Sequence, residues 1–271
     1  KRARITVIAG ILSLVAAYLF DARYELKSDL YPANVCYNIA LAFQRTAQTQ
    51  HYAETSNDFT FQAKTIRPEK NREVYVMVIG ETSRAANWSI YGYNRNTNPE
   101  LTKIKGLTAF SHVLTESNTT HKSVPMLMSS VTAHDFNSIY RQKGIITAFK
   151  EAGYRTAFFS NQRYNHSFID FFGKEADICD FIKEDTGDGG YNPSDDELLK
   201  LVAAELAENA SKQFIVLHTY GSHFNYRERY PADNAFFLPD FPVDAELKYK
   251  DNLINAYDNS IRYTDAFLAR I

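Results

Sequence analysis

Two kinds of hydrophobic pattern alternate along this chain. Short continuous apolar runs predict buried strands, and apolar residues three or four apart predict helices. The clearest run is Glu73-Val-Tyr-Val-Met-Val-Ile-Gly80, rich in β-branched residues and closed by glycine. It predicts a buried central strand, and the carboxylate of Glu81 follows it at once. Arg155–Ser160 and Gln213–Tyr220 predict two more strands. Helices are predicted over Gln142–Ala152, ended by Gly153, and over Tyr249–Ile271. Another is predicted over Asp195–Asn209, where Ser194 suits the cap and Glu197 completes a capping box. Strands alternating with helices predict an α/β fold, a mostly parallel sheet with helices on both faces.

The first seventy residues follow a different pattern. Ile5–Phe20 is an uncharged stretch behind Lys1, Arg2 and Arg4. A full membrane span needs about 20 apolar residues, so this one is slightly short. It reads as a transmembrane helix over residues 1–24, the last of a longer bundle, with its basic end in the cytoplasm. A signal peptide and a core helix are the rival readings, and no small-residue cleavage pattern follows. Leu30–Gln50 carries Val35, Ile39, Ala42 and Phe43 at helical spacing, which suits an interfacial helix or an ordinary packing helix. Gln48–Glu69 is polar and reads as a linker, so residues 25–70 are expected to be interfacial helix and linker. The domain boundary falls near Asn71, and residues 71–271 form the main domain. The chain starts at Lys1 and stops at Ile271 within a helical pattern, which reads as a piece of a longer protein.

Composition narrows the classes. A hydrophobic content of 45% and an aromatic content of 14% support a sizeable core and argue against disorder. A formal net charge of −2 supplies no global basic field, so no nucleic-acid partner is expected. Cys36 and Cys179 form neither a metal-type nor a redox-type pair, and no disulfide framework is expected.

Three strand ends carry polar groups. Glu81 follows the first, Asn161 the second, and His218 and His223 the third. If the strands are parallel neighbours, these residues face one crevice at the carboxyl ends, where such sheets bind ligands. A carboxylate and two imidazoles there suit a zinc-like ion. His218 and His223 are separated by a glycine-containing turn, so they need not bind the same atom. His218 reads equally as a buried strand histidine, and Glu81 as a solvated loop acid. The segment Glu116–Met128 adds hydroxyls. Pro125 suits the first turn of a helix and Ser123 its cap. Thr120 would then precede a helix N-terminus, which favours anions. A metal that lowers its pKa would make it a nucleophile. The other reading of Thr119, Thr120 and Ser123 is that of capping hydroxyls.

Together these segments resemble the phosphoethanolamine transferases of the bacterial envelope, within the alkaline phosphatase/sulfatase superfamily. The matching stretches begin with Val78-Ile-Gly-Glu81-Thr-Ser-Arg84 and Tyr91-Gly-Tyr-Asn-Arg-Asn-Thr-Asn-Pro99. Thr119-Thr120-His-Lys-Ser-Val-Pro125, Leu217-His-Thr-Tyr-Gly-Ser-His223 and Tyr257-Asp-Asn-Ser-Ile-Arg-Tyr-Thr-Asp265 follow in the family's order. The resemblance implies that Glu81 is a zinc ligand and that Thr120 is both nucleophile and metal ligand. It implies that His223 binds the donor headgroup or a second zinc, with His218 supporting and Asn161 a looser match in the substrate site. It implies one or two Zn²⁺ ions, whose remaining ligands, an Asp-His-Gly motif and a further histidine, are expected beyond Ile271. The C-terminal part of the domain is therefore expected to be missing, and the fragment inactive alone.

The implied reaction moves phosphoethanolamine from phosphatidylethanolamine to an envelope acceptor, a lipid A phosphate or a glycan, through a covalent threonine intermediate. The implied place is the bacterial inner membrane, with the catalytic domain in the periplasm. The alternatives are a phosphodiesterase- or sulfatase-type hydrolase, a glycerol-phosphate transferase on the same scaffold, and a metal-free membrane-anchored binding module. A sulfatase activity fits least, because Ser123-Val-Pro-Met-Leu127 lacks the arginine of the Cys/Ser-x-Pro-x-Arg motif.

Overall fold

The computed structural model describes residues 2–24, 31–66, 72–183, 192–244 and 246–271. The chain divides into two compact units between Asp58 and Phe59. The first holds helices α1 (Arg2–Tyr24), α2 (Ala33–Gln50) and the single turn α3 (Tyr52–Thr55). Among the described residues no helix is long and apolar enough to cross a membrane. Helix α1 forms over the expected stretch, and its uncharged part runs from Ile5 to Phe20 between Arg4 and Asp21. The apolar residues Val35, Ile39 and Phe43 of α2 are exposed.

The second unit starts earlier than the expected boundary near Asn71, which itself lies outside the described residues. The reason is local. The Glu151 carboxylate accepts hydrogen bonds from Thr60 Oγ1 (2.8 Å), Phe61 N (3.0 Å) and Ala63 N (2.9 Å), so the polar stretch is tied to the domain it precedes.

The sheet of this unit is parallel, with strand order β1-β4-β2-β3. The strands are β1 (Glu73–Ile79), β2 (Arg155–Ser160), β3 (Ile178–Phe181) and β4 (Lys212–His218). Three coincide with the predicted runs. β3 went unpredicted, because Ile178-Cys-Asp-Phe181 is short and half-exposed and lacks a periodic signal. Helices α4 (Thr120–Leu127), α5 (Ile145–Glu151), α6 (Phe168–Gly173), α7 (Asp196–Ala207) and α8 (Lys250–Arg270) complete the layers.

Helices cover both faces of the sheet. Alternation along β2 and β4 sends Ala157, Phe159, Ile215 and Leu217 into one cluster with Leu198 and Val202 of α7 and Phe267 of α8. On the other face, Phe149 of α5 stacks on Phe214 at 3.8 Å, and Phe158 lies against Gly173 of α6. Every residue of β4 is buried, as a doubly covered parallel strand requires. Each buried Phe or Leu side chain contributes about 1.5–3 kcal/mol.

Two local expectations are corrected. The N-cap of α7 is Asp195, not Ser194; Ser194 Oγ still accepts from Asp196 N at 3.2 Å, while Glu197 pairs with Lys200 instead of closing a capping box. Helix α4 starts at Thr120 with Thr119 as N-cap, so Ser123 lies within its first turn and Pro125 in its interior. Thr120 is therefore the first helical residue.

The register fixes the site. Ile79 of β1 and Ser160 of β2 both pair with His218 of β4, so the carboxyl ends of three strands are level.

Candidate active site

Glu81 stands two residues past the end of β1 and is 9% exposed. Its carboxylate has two partners: Oε1 accepts from Thr82 Oγ1 at 2.6 Å and Oε2 from Thr120 Oγ1 at 3.0 Å. Two segments separated by 39 positions thus meet at one carboxylate. Thr120, as the first residue of α4, also presents its hydroxyl at the positive end of a helix dipole.

The turn after Glu81 is strained and held. Thr82 has φ of +51°, a left-handed conformation that a β-branched residue seldom adopts. Tyr257 of α8 fixes it from outside: its hydroxyl donates to Thr82 O at 2.8 Å and accepts from Arg84 N at 3.0 Å. Burial raises the Tyr257 pKa, which keeps that donor protonated.

The turn after β4 packs against the same place. Ser222 N donates to Glu81 O at 3.0 Å. Gly221 has φ of +49°, and a Cβ there would lie 2.8 Å from Glu81 O and 3.0 Å from Glu81 N. Gly221→Ala is expected to push Glu81 off its position and to lower stability by about 1–3 kcal/mol. Thermal unfolding of the variant checks this, and an unaltered variant would mean the close approach does not set Glu81.

Asp195 completes the bracket. Its Oδ1 accepts from Tyr220 N (2.7 Å) and Asn161 Nδ2 (2.8 Å), and its Oδ2 from Gly221 N (2.9 Å). Burial raises its pKa against these three donors. Asn161 also donates to Pro193 O at 3.0 Å. Its side chain therefore ties β2 to the β4 turn, and it lines neither cavity at Glu81.

Two cavities open on the Glu81–Thr120 pair. One, of about 650 Å³, is lined by Arg84, Val124, Leu127, Tyr226, Ile254 and Tyr257 among others. The other, of about 490 Å³, is polar and includes His121, Gln162, Arg163, His218 and His223. His223 is exposed; its ring stacks on Tyr220 at 4.9 Å, and its Nδ1 lies 2.6 Å from Phe224 O. The structure thus brings Glu81, Thr120, His218 and His223 to one place.

His218 has no exposed surface, and neither ring nitrogen has a hydrogen-bond partner. Burial lowers its pKa from 6.5 to about 4. The unfolded chain therefore takes up the proton first as pH falls. Stability is expected to be intact above pH 6.5 and to decline by about 3 kcal/mol between 6.5 and 4. Urea unfolding across that range checks this, and the slope should flatten in His218→Phe.

The donor set fits a metal ion in part. Glu81 Oε2 and Thr120 Oγ1 are hard oxygen donors 3.0 Å apart, and an unpartnered imidazole lines the cavity beside them. Among the described residues, no group of three His, Cys, Asp or Glu side chains is placed to hold a metal ion. A catalytic zinc needs three protein ligands.

Sequence reasoning missed Asp195 and gave no role to Asp258. Asp258 has no exposed surface and accepts from Arg95 (2.7 Å), Asn87 Nδ2 (2.8 Å) and Tyr93 OH (2.9 Å). Asp265 accepts from the backbone N–H of Glu100 (2.8 Å) and Leu101 (3.0 Å). These α8 carboxylates hold the loop that follows Glu81. The available signal was a pair of acids seven positions apart on one face of a predicted helix.

Comparisons with known proteins agree with this architecture. The Kdo(2)-lipid A phosphoethanolamine 7''-transferase of Escherichia coli (strain K12) is 32% identical over 217 residues, 79% of this chain and 38% of that protein. The phosphatidylethanolamine transferase Mcr-1 of Escherichia coli is 31% identical over 271 residues, 94% of this chain and 49% of that protein. The chain thus spans less than half the length of these curated relatives. Among solved structures, the C-terminal periplasmic domain of EcEptC from Escherichia coli in complex with Zn superimposes with a TM-score of 0.66. The identity is 25%, over 74% of this chain and 58% of that one. Residues 73–271, which include Glu81 and Thr120, match the family model described as Sulfatase, and the chain belongs to the sulfatase family.

Proposed function

We propose that this protein transfers phosphoethanolamine from phosphatidylethanolamine to an envelope acceptor, a lipid A phosphate or a glycan, through a phosphoethanolamine–threonine intermediate. The observation that carries the reading is the hydrogen bond from Thr120 Oγ1 to Glu81 Oε2, 3.0 Å, at the junction of two cavities. The names of the relatives, phosphoethanolamine transferases acting on lipid A among them, support the same reaction class.

Glu81 orients the Thr120 hydroxyl so that its lone pairs face the cavity. Thr120 Oγ1 forms a bond to the donor phosphorus, and the bond from phosphorus to the diacylglycerol oxygen breaks. Diacylglycerol leaves carrying the proton that Thr120 gave up. His223, exposed at the mouth, holds the headgroup and passes the proton. The N-terminus of α4 stabilises charge on the phosphoryl oxygens. An acceptor oxygen then displaces Thr120, which recovers its proton, so ping-pong kinetics are expected. Glu81 Oε2 and Thr120 Oγ1 would supply part of the ligand set of a zinc ion, and a metal held there would lower the pKa of the Thr120 hydroxyl. The reaction would take place at the bacterial inner membrane, on the periplasmic side.

Mass spectrometry of the complete protein after exposure to zinc and phosphatidylethanolamine tests this. Phosphoethanolamine should sit on the peptide that contains Thr120. Release of free phosphoethanolamine with no modified peptide would favour a hydrolase instead.

A further inference from the structure

Arg84 is the only cationic side chain among the described residues that line the larger cavity, and Glu81 is the only carboxylate among them. A donor phosphodiester brings a negative charge into that cavity, so a positive group on its wall offsets the repulsion from Glu81. Arg84 is held at both ends. Its backbone N–H donates to the Tyr257 hydroxyl at 3.0 Å. The single 3₁₀ turn Ala85–Asn87 then brings Arg84 and Asn87, three positions apart, onto one face. Arg84 Nε donates to Asn87 Oδ1 at 2.6 Å, and Asn87 Nδ2 donates to the buried Asp258 Oδ1 at 2.8 Å. A buried carboxylate thus aims a guanidinium two links away. The rotamer freedom an arginine would lose on binding a ligand is already lost in folding. Nε is committed to this anchor, while Nη1 and Nη2 have no hydrogen-bond or ion-pair partner among the described residues. Those remaining N–H donors lie in one plane, and their fork matches two oxygens of a phosphate.

We propose that Arg84 is a catalytic residue whose Nη1 and Nη2 groups bind the two unesterified oxygens of the phosphoryl group that moves to and from Thr120. The inference rests on the proposed phosphoethanolamine transfer and adds the side chain that recognises the phosphorus centre. In the first displacement the Thr120 Oγ1–phosphorus bond forms and the bond to the diacylglycerol oxygen breaks. Negative charge rests on the two unesterified oxygens throughout, and a guanidinium that keeps its protons stabilises it without joining the proton transfer. The same contact serves the second displacement, because the phosphoryl group then sits on Thr120 while the acceptor oxygen approaches. Substrate has to reach this wall for Thr120 to react at all, so the accessibility of Arg84 follows from the reaction and not from surface exposure.

The test separates the two half-reactions. The complete protein is mixed with phosphatidylethanolamine in detergent micelles, and the modified Thr120 peptide is followed by rapid-quench mass spectrometry. The modified form is then given lipopolysaccharide, and its discharge is timed. Arg84→Gln should slow both half-reactions about a hundredfold or more. Arg84→Lys, which keeps the charge and loses the planar fork, should slow both about tenfold. Free guanidinium ion should restore part of the rate in Arg84→Ala, and urea, which has the shape without the charge, should restore none. Modification of Thr120 at the unaltered rate in Arg84→Gln overturns the inference. Loss of discharge alone would move Arg84 to the acceptor's phosphate. A loss that Arg84→Lys does not moderate and guanidinium does not repair would make the role of Arg84 structural. Both of these results overturn the inference as well. The two readings fail separately. Modification of Thr120 that is indifferent to Arg84 refutes the phosphate contact alone. The covalent step alone is refuted if the unaltered protein shows no modification while Arg84→Gln still weakens glycerophosphoethanolamine binding about tenfold in calorimetry.

Discussion

Thr120→Ala should lower phosphoethanolamine transfer by about a thousandfold or more, because it deletes the only atom the proposed covalent step can use. Thr120→Val is the stricter variant. It preserves the β-branched shape at the start of α4 and removes only the hydroxyl that Glu81 holds at 3.0 Å. Thr120→Ser keeps an oxygen and should retain measurable transfer. In the complete protein, a radiolabelled headgroup followed from donor to acceptor gives the rates. Transfer by Thr120→Val near the unaltered rate would assign the nucleophile elsewhere. Loss of transfer with normal thermal unfolding would place the defect in the chemistry and not in the fold.

The largest effect on stability is expected at Asp258. Its carboxylate is fully buried and accepts from Arg95, Asn87 and Tyr93. Asp258→Ala strands a largely desolvated guanidinium and two further donors, at a cost of about 3–5 kcal/mol. Against a typical domain stability of about 5–15 kcal/mol, that is a large share. Arg95 would keep its bond to Asn255 Oδ1 at 2.7 Å and its place over the Phe237 ring at 3.8 Å, so the loop should loosen before the sheet does. Asp258→Asn retains the shape and should cost less. Guanidinium unfolding of both variants measures the difference. A loss below about 1 kcal/mol in Asp258→Ala would show that the bracket contributes little.

The sheet was legible wherever burial on both faces wrote a continuous apolar run. Arg155–Ser160 and the run that becomes β4 were recoverable for that reason. Val74–Ile79 is the edge of the described sheet, with Val74 and Tyr75 exposed; it was recoverable from its β-branched run and is not the buried central strand expected. The half-exposed Ile178–Phe181 wrote no such run. Glu81 and Thr120 were legible as residue types in recognisable surroundings, but their meeting depends on where loop 84–119 travels, and no local pattern encodes that path. Capping was misread at both α4 and α7. In α7, a Ser-Asp-Asp series offers several oxygens to the same N–H groups, and the choice among them is tertiary: Asp195 is drawn off to the Tyr220–Gly221 turn. Asn161 illustrates the same limit, since its position at a strand end says nothing about its commitment to Pro193 and Asp195.

The clamp from Tyr257 to Thr82 and Arg84 has a consequence for biogenesis. A ribosome delivers the chain from its N-terminus, and Tyr257 emerges 175 positions after Thr82. Until α8 arrives, the left-handed turn at Thr82 lacks its bond to Tyr257, and only the Gly221–Ser222 turn holds Glu81 from outside. The reactive pair therefore comes into being late in synthesis. A nascent or prematurely terminated chain carries Glu81 and Thr120 without the Tyr257 clamp on the turn between Glu81 and Arg84.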